Sequence, residues 1–223
     1  MAQTLLITGA SSGIGKATAY AAAKAGWNVA LVARSTDQLK AIAEEIGTAA
    51  LSLPGDATDR GFMSTAFSEA ASHFGSLDAV FANAGTGASK PGVENGDPDE
   101  WHDMIHINIL AVLYAAHEAI PHLKKTKGQF IVTGSKAGRD HMKGSVYSAT
   151  KWFVHGFAGN LAEEMREWGG RCTVISPGMV DTAFFDEAKP TKLQPEDIAD
   201  AVVFALNQRE TSSVREIHLM PND

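Results

Sequence analysis

Thr4-Leu5-Leu6-Ile7-Thr8-Gly9-Ala10-Ser11-Ser12-Gly13-Ile14-Gly15 is the stretch that decides the fold. Its first residues form an apolar run with no polar alternation, as a strand buried on both faces does. A turn of pattern Gly-x-x-x-Gly-x-Gly follows, and the Ala- and Lys-bearing stretch Gly15 to Ala25 then has helical spacing. Strand, glycine turn and helix in that order form the place where a doubly wound parallel sheet meets the pyrophosphate of a dinucleotide. Glycine allows φ above zero and a close backbone approach, and the helix N-terminus offers unpaired N–H groups with a partial positive charge. Gly9, Ser11, Ser12, Gly13, Ile14 and Gly15 are the residues expected around the phosphates. The spacing departs from the common Gly-x-Gly-x-x-Gly.

Outward from this turn the same rhythm continues. Short β-rich runs at 28–33, 49–54, 77–83, 128–133 and 171–176 alternate with longer helical stretches, and a last strand is expected near 214–220. This alternation predicts an α/β fold: a Rossmann-like doubly wound parallel sheet of about seven strands with helices on both faces. Thr36 to Ile46 reads as a helix with Ser35 at its N-cap and Gly47 as its stop. Asp97-Pro98-Asp99-Glu100 starts a helix that runs past Asn108 toward Ile120, and Pro121 is expected to end or bend it. Gln194-Pro195-Glu196-Asp197 starts the last helix. With no repeat, linker or low-complexity segment, residues 1–223 read as one dinucleotide-binding and catalytic domain.

Nineteen residues after Gly15, at the end of the second strand, stands Arg34 after Ala33. An NAD-selective site presents a carboxylate here, which bonds the ribose hydroxyls and repels a 2′-phosphate. Arginine attracts that phosphate and can stack on adenine, so NADP(H) is favoured over NAD(H). After the third strand, Asp56 can accept from the adenine amino group, with Ala57 beside it. After the fourth, Asn83-Ala84-Gly85 brings one amide and two small residues to the carboxyl edge of the sheet.

Tyr147-Ser148-Ala149-Thr150-Lys151 sets a phenol and an ammonium one helical turn apart on one face. A free phenol titrates near pH 10, so proton transfer near neutrality asks for a shift of roughly 3 units, which a nearby ammonium is expected to supply. Ser135 lies twelve residues earlier, just past a strand, where it can hydrogen-bond the same substrate oxygen. Asn108 is a candidate for holding a water that relays protons between Lys151 and solvent. This chemistry requires neither a metal nor a nucleophilic intermediate.

Composition narrows the field. The chain of 223 residues carries a formal charge of −7, which disfavours a nucleic-acid partner. The start has no basic leader, and no apolar run reaches the roughly 20 residues of a membrane span. One cysteine, Cys172, rules out a disulfide framework and a cysteine-based zinc cluster. The cytoplasm is the default location. His102 and His106 stand i, i+4 on a helix, but no third ligand presents itself, so no metal site is expected.

Taken together, the chain resembles the short-chain dehydrogenases/reductases over nearly its whole length. The motifs that match are Thr8 to Gly15, Asp56, Asn83-Ala84-Gly85, Asn108, Ser135-Lys136-Ala137-Gly138, Tyr147 to Lys151 and Pro177-Gly178-Met179-Val180-Asp181-Thr182. The resemblance implies Tyr147 as general acid/base, Lys151 lowering its pKa and binding the nicotinamide ribose, Ser135 orienting substrate and Asn108 as the relay. It also assigns Pro177, Gly178, Val180 and Thr182 to the nicotinamide carboxamide and pyrophosphate, and implies a homodimer or homotetramer. Ala82 and Gly134 depart from the family pattern, standing where many members have asparagine and serine. The segment Ala183 to Lys189, in the place of the family's substrate lid, is short, so a small or loosely held carbonyl or alcohol is expected. Arg139, His141 and Lys143 are candidates to face a carboxylate, as in members acting on 3-hydroxy acids. The alternative is a non-catalytic NADP(H)-binding sensor on the same fold, which would be expected to lose Tyr147 or Lys151; a cofactor-free lyase is disfavoured by Gly9, Gly13, Gly15 and Lys151.

Overall fold

The computed structural model describes residues 2–90, 92–185 and 187–222. Seven strands, β1 (Thr4–Thr8), β2 (Asn28–Ala33), β3 (Ala50–Pro54), β4 (Ala79–Ala82), β5 (Gln129–Thr133), β6 (Arg171–Pro177) and β7 (Glu216–Leu219), form one sheet. Its order is β3-β2-β1-β4-β5-β6-β7, and each pairing is parallel. The chain winds outward one way from β1 to β3 and the other way from β4 to β7. The crevice beyond the carboxyl ends of β1 and β4 is therefore the switch point where such sheets take ligands.

Strand periodicity sorts the core. Leu6 joins Ala30, Val32 and Phe130 on one face, covered by Met63 of α3 (Arg60–Phe74), Ala115 of α5 (Ala111–Thr126) and Leu161 of α6 (Val146–Arg166). Leu5 and Ile7 point the other way, to Val29, Phe81 and Ile175. They are covered by Ala19 of α1 (Gly13–Lys24), Leu39 of α2 (Thr36–Ile46) and Ile198 of α7 (Pro195–Leu206). Leu5, Leu6 and Ile7 are all 0% exposed, which explains their unbroken apolar run.

Local signals set most helix ends. Asp59 accepts from Phe62 N at 3.0 Å to start α3, and Ser145 accepts from Ser148 N at 3.0 Å to start α6. Gly47, at φ 83°, ends α2 as expected, but the Ser35 side chain makes no capping bond. The expected break at Pro121 does not occur. A helix α4 (Pro98–Ile105) passes through one π turn, His106–Leu110, into α5, which continues through Pro121 to Thr126. Proline removes one backbone bond at an exposed position, while Ala115, Ala119 and Leu123 bury the opposite stripe and hold the helix together. Within the run 98–126 an 18-residue window reaches a mean hydropathy of 1.3, long and apolar enough to cross a membrane by length and composition, but in this fold the helix packs on α3, α6 and β4.

Candidate active site

The β1–α1 turn is built around its glycines. Gly9 takes φ 68°, and a Cβ on Gly15 would stand 2.2 Å from the Gly9 carbonyl oxygen. A Cβ on Gly13 would come within 3.2 Å of Thr182 Cγ2, so the loop after β6 closes against the same turn. Ser12, at the N-cap of α1, makes no side-chain capping bond, and the first turn contains no acidic residue. The N–H groups and dipole of α1 therefore point into a cradle from which side chains are excluded. This is the donor set and the space that a dinucleotide pyrophosphate requires.

Thr8 locks this turn to the next strand. Its hydroxyl oxygen accepts from Asn83 N and Ala84 N, each at 3.1 Å. The Asn83 amide donates to Thr8 O at 3.2 Å and accepts from Thr133 Oγ1 at 3.0 Å. The amide read from sequence as a ligand group thus spends its bonds tying β1, β4 and β5 together. Asp56 receives Thr58 N and Thr58 Oγ1 on one oxygen, both at 2.8 Å, while Ala57 is core, 6% exposed. Arg34 is exposed at the rim and makes no ion pair among the described residues.

Three elements bring the catalytic candidates together. Ser135 follows β5, and its Oγ accepts from Ala137 N at 3.1 Å, which starts a single 3-10 turn, Lys136–Gly138. α6 begins at Val146, so Tyr147 lies in its first turn and Lys151 one turn on. Lys151 Nζ donates to Thr133 O at 2.8 Å and sits 5.8 Å from the centre of the Tyr147 ring. Burial carries the Lys151 ammonium down to about 8. Burial also raises the Tyr147 phenol above its ordinary value, and a hydrogen bond with Ser135 opposes it. In the protein alone desolvation outweighs the other effects on the phenol, and the ammonium donates to the Thr133 carbonyl while facing the phenol ring.

The π turn carries Asn108 inward to 1% exposure. Its Oδ1 accepts from Thr86 N at 2.9 Å, and its Nδ2 donates to Thr86 O at 2.9 Å and Thr150 Oγ1 at 3.1 Å. Both amide protons are spent, so this side chain has only an oxygen lone pair left for a relay water. What it does is clamp the loop after β4 to α6. A Cβ on Gly85 would lie 3.2 Å from Asn108 Oδ1 and 3.8 Å from Lys151 Nζ, so this glycine leaves the floor above the two open.

Beyond β6, Phe184 leans over the site. Its ring centre is 5.4 Å from that of Tyr147, and its tip fills the space that a Cβ on Gly87 would enter, at 2.8 Å. Pro177 is buried at the end of β6, Gly178 N donates to Leu219 O at 2.7 Å, and Val180 is 5% exposed. The carboxylate reading of the basic loop needs correction. Arg139, His141 and Lys143 are all exposed, but Arg139 is committed to both oxygens of Glu216 and His141 stacks on Trp152 with ring centres 5.3 Å apart. His102 and His106 stack on each other at 4.3 Å, and no group of three or more metal-ligating side chains gathers among the described residues. Sequence reasoning missed Thr8, Thr86, Thr133 and Thr150. Each acts through a partner distant in the chain, and no local pattern marks them.

Comparison with known proteins agrees with this geometry. The family model described as short chain dehydrogenase matches residues 3–193. A relative from Staphylococcus aureus, described as an uncharacterized oxidoreductase, is 38% identical over 97% of this chain and 96% of its own. An alcohol dehydrogenase of the archaeon Thermococcus sibiricus, solved with 5-hydroxy-NADP, superposes with a TM-score of 0.92 at 31% identity, covering 100% of this chain and 97% of that one. A 3-ketoacyl-(acyl-carrier-protein) reductase of Brucella melitensis, solved with NADH, gives 0.91 at 27%, covering 99% and 97%. A match this long takes in both the glycine cradle at the start of the chain and the Ser135, Tyr147 and Lys151 cluster late in it, and on that ground the chain belongs to the short-chain dehydrogenase family and is an oxidoreductase of that type.

Proposed function

We propose that this oxidoreductase moves a hydride reversibly between NADP(H) and a small carbonyl or alcohol, with Tyr147 as its general acid/base. The observation that carries the reading is the meeting of Ser135, Tyr147 and Lys151 at the sheet edge, beside an uncapped α1 N-terminus and under a glycine floor. Gly9 to Gly15 and Thr182 would hold the pyrophosphate, Asp56 the adenine, and Lys151 the nicotinamide ribose. When bound, the nicotinamide supplies or takes the hydride. The chain's own groups do the rest: Ser135 and Tyr147 hold the substrate oxygen, and the Tyr147 phenol gives or takes its proton. Lys151 stays fixed on Thr133 O, and Phe184 shields the site from water.

Arg34 supports NADP(H) over NAD(H), since it stands unpaired at the rim where a 2′-phosphate would lie. The neighbours bound to 5-hydroxy-NADP and to NADH point to a nicotinamide cofactor without deciding between the two. A homo-oligomer belongs to the same reading, supported by apolar side chains left exposed on α6 and α7, Trp152 at 43% and Phe204 at 56%. The test combines fluorescence titration with NADPH and NADH with absorbance assays on small aldehydes, ketones and 3-hydroxy acids. We expect turnover that disappears in Tyr147→Phe, and an Arg34→Ala variant that loses about tenfold or more in NADPH affinity with little change for NADH. Binding without turnover in the unaltered protein would leave a sensor, and failure to bind either nucleotide would refute the reading.

A further inference from the structure

The two glycines flanking Ser135, Gly134 and Gly138, share one neighbour. A Cβ on Gly134 would stand 2.7 Å from His155 Nε2, and one on Gly138 would stand 2.6 Å from His155 Cδ2. The imidazole of His155, one turn of α6 after Lys151, occupies the space that both glycines leave. Its Nε2 lies 3.2 Å from Ser135 O, and because a carbonyl only accepts, Nε2 carries the proton. The same carbonyl accepts from Gly138 N at 2.9 Å. On the far side of the ring, Nδ1 faces Glu216 Oε1 at 3.8 Å, and that carboxylate is gripped by the Arg139 guanidinium through two bonds, the first at 2.7 Å. Behind the ring a hollow of about 380 Å³, lined by Gly138, Arg139, Trp152, His155 and Gly156, opens to solvent.

We propose that His155 is a positioning residue that braces the backbone of Ser135 from behind and so holds its hydroxyl on Tyr147. The inference rests on the catalytic reading of Ser135 and Tyr147 given above. A larger residue at position 134 would collide with the ring and with Val174 Cγ1, which a Cβ there would approach to 2.6 Å. Without the ring, the hollow runs through to the Ser135 carbonyl, which loses one of its two donors to water. The serine then samples positions away from the phenol. Because the brace acts on the Ser135 backbone, it acts on the proton-transfer geometry and not on nucleotide binding.

The test compares His155→Phe, which fills the space without a donor, with His155→Gln, which restores a donor. His155→Leu, a smaller side chain without a donor, serves as a third variant should the phenylalanine disturb folding. Each is measured for kcat, for carbonyl KM, for NADPH Kd and for phenolate absorbance against pH, with the Tyr147→Phe protein as subtraction. In His155→Phe, kcat is expected to fall about tenfold or more with NADPH Kd unchanged. Loss of the Ser135 bond should move the Tyr147 titration upward, and His155→Gln should recover most of both. Unchanged kcat and unchanged titration in His155→Phe would overturn the brace, as would a fall in NADPH affinity parallel to kcat. If the unaltered protein turned over no substrate, the catalytic reading would fail separately, and the phenolate titration would still decide whether His155 controls the Ser135–Tyr147 contact.

Discussion

Lys151→Met keeps most of the side chain's length and apolar volume and removes its charge from a site only 5% exposed. Burial lowers this ammonium from 10.5 to about 8, a cost of about 3 kcal/mol for keeping it charged at neutral pH. Against that gain, the Thr133 carbonyl loses the donor it holds at 2.8 Å, worth about 1–2 kcal/mol. The variant is therefore expected to be inactive and more stable by about 1–2 kcal/mol at pH 7. The folded value lies below the unfolded one, so between about pH 8 and 10.5 the unfolded chain binds more protons, and the stability of the unaltered protein rises with pH. Its deficit against the methionine variant should shrink by about 1 kcal/mol between roughly pH 8 and pH 9. Denaturant midpoints of both proteins at several pH values read this directly, because other titrating groups cancel in the comparison. A difference that stays flat from pH 7 to pH 9 would show that Lys151 is not held low, and the account of its burial would be wrong.

Three further outcomes follow from other parts of the site. Gly15→Ala drives a Cβ to 2.2 Å from Gly9 O, so it should cost about 1–3 kcal/mol of stability and at least tenfold in nucleotide affinity, read by thermal melts and NADPH titration. Phe184→Ala removes the ring that covers Tyr147, so larger carbonyl substrates should gain in kcat/KM relative to small ones across a substrate series. Cys172 is 1% exposed, and burial carries its thiol up to about 12, so alkylating reagents should label it only at the rate of unfolding; rapid labelling of the native protein would contradict the packing of β6.

The signals that sequence alone disclosed were local. The strand, turn and helix around Gly9 to Gly15 are decided by residues adjacent in the chain, and β1, β2 and α2 match their expected bounds because apolar runs and Gly47 mark them. Pro121 misled because its cost is local while the stabilisation that offsets it comes from a buried stripe packed on α3. Ser135, Tyr147 and Lys151 were visible as residue types, but the partners that fix them were not. Asn108 meets Thr86 and Thr150, 22 and 42 residues away, and a threonine in a loop or on a helix carries no mark of such a role. Gly134 stood out as a departure from the family pattern, yet the groups that crowd it, Val174 and the ring of His155, lie on other elements and come together only once β5, β6 and α6 are packed.

The two central groups are biased in the same direction, and this bears on which half of the reaction the chain prepares. Desolvation raises the phenol of Tyr147 and lowers the ammonium of Lys151, so each is pushed toward its neutral form. A phenol held above its ordinary value keeps its proton at pH 7 and stands ready to donate it to a carbonyl oxygen, the step that reduction requires. Accepting a proton from an alcohol requires the phenolate, which burial disfavours and which the Ser135 bond and a nearby positive charge favour. In the protein alone, burial remains the largest effect on the phenol, so more positive charge is needed there. The positive ring of an oxidised nicotinamide would supply it. Under the proposed catalysis the pH profiles should separate: alcohol oxidation should rise with pH as the phenol ionises, while carbonyl reduction stays level until the same group loses its proton. Coincident rising profiles in both directions would mean that another group sets the protonation step.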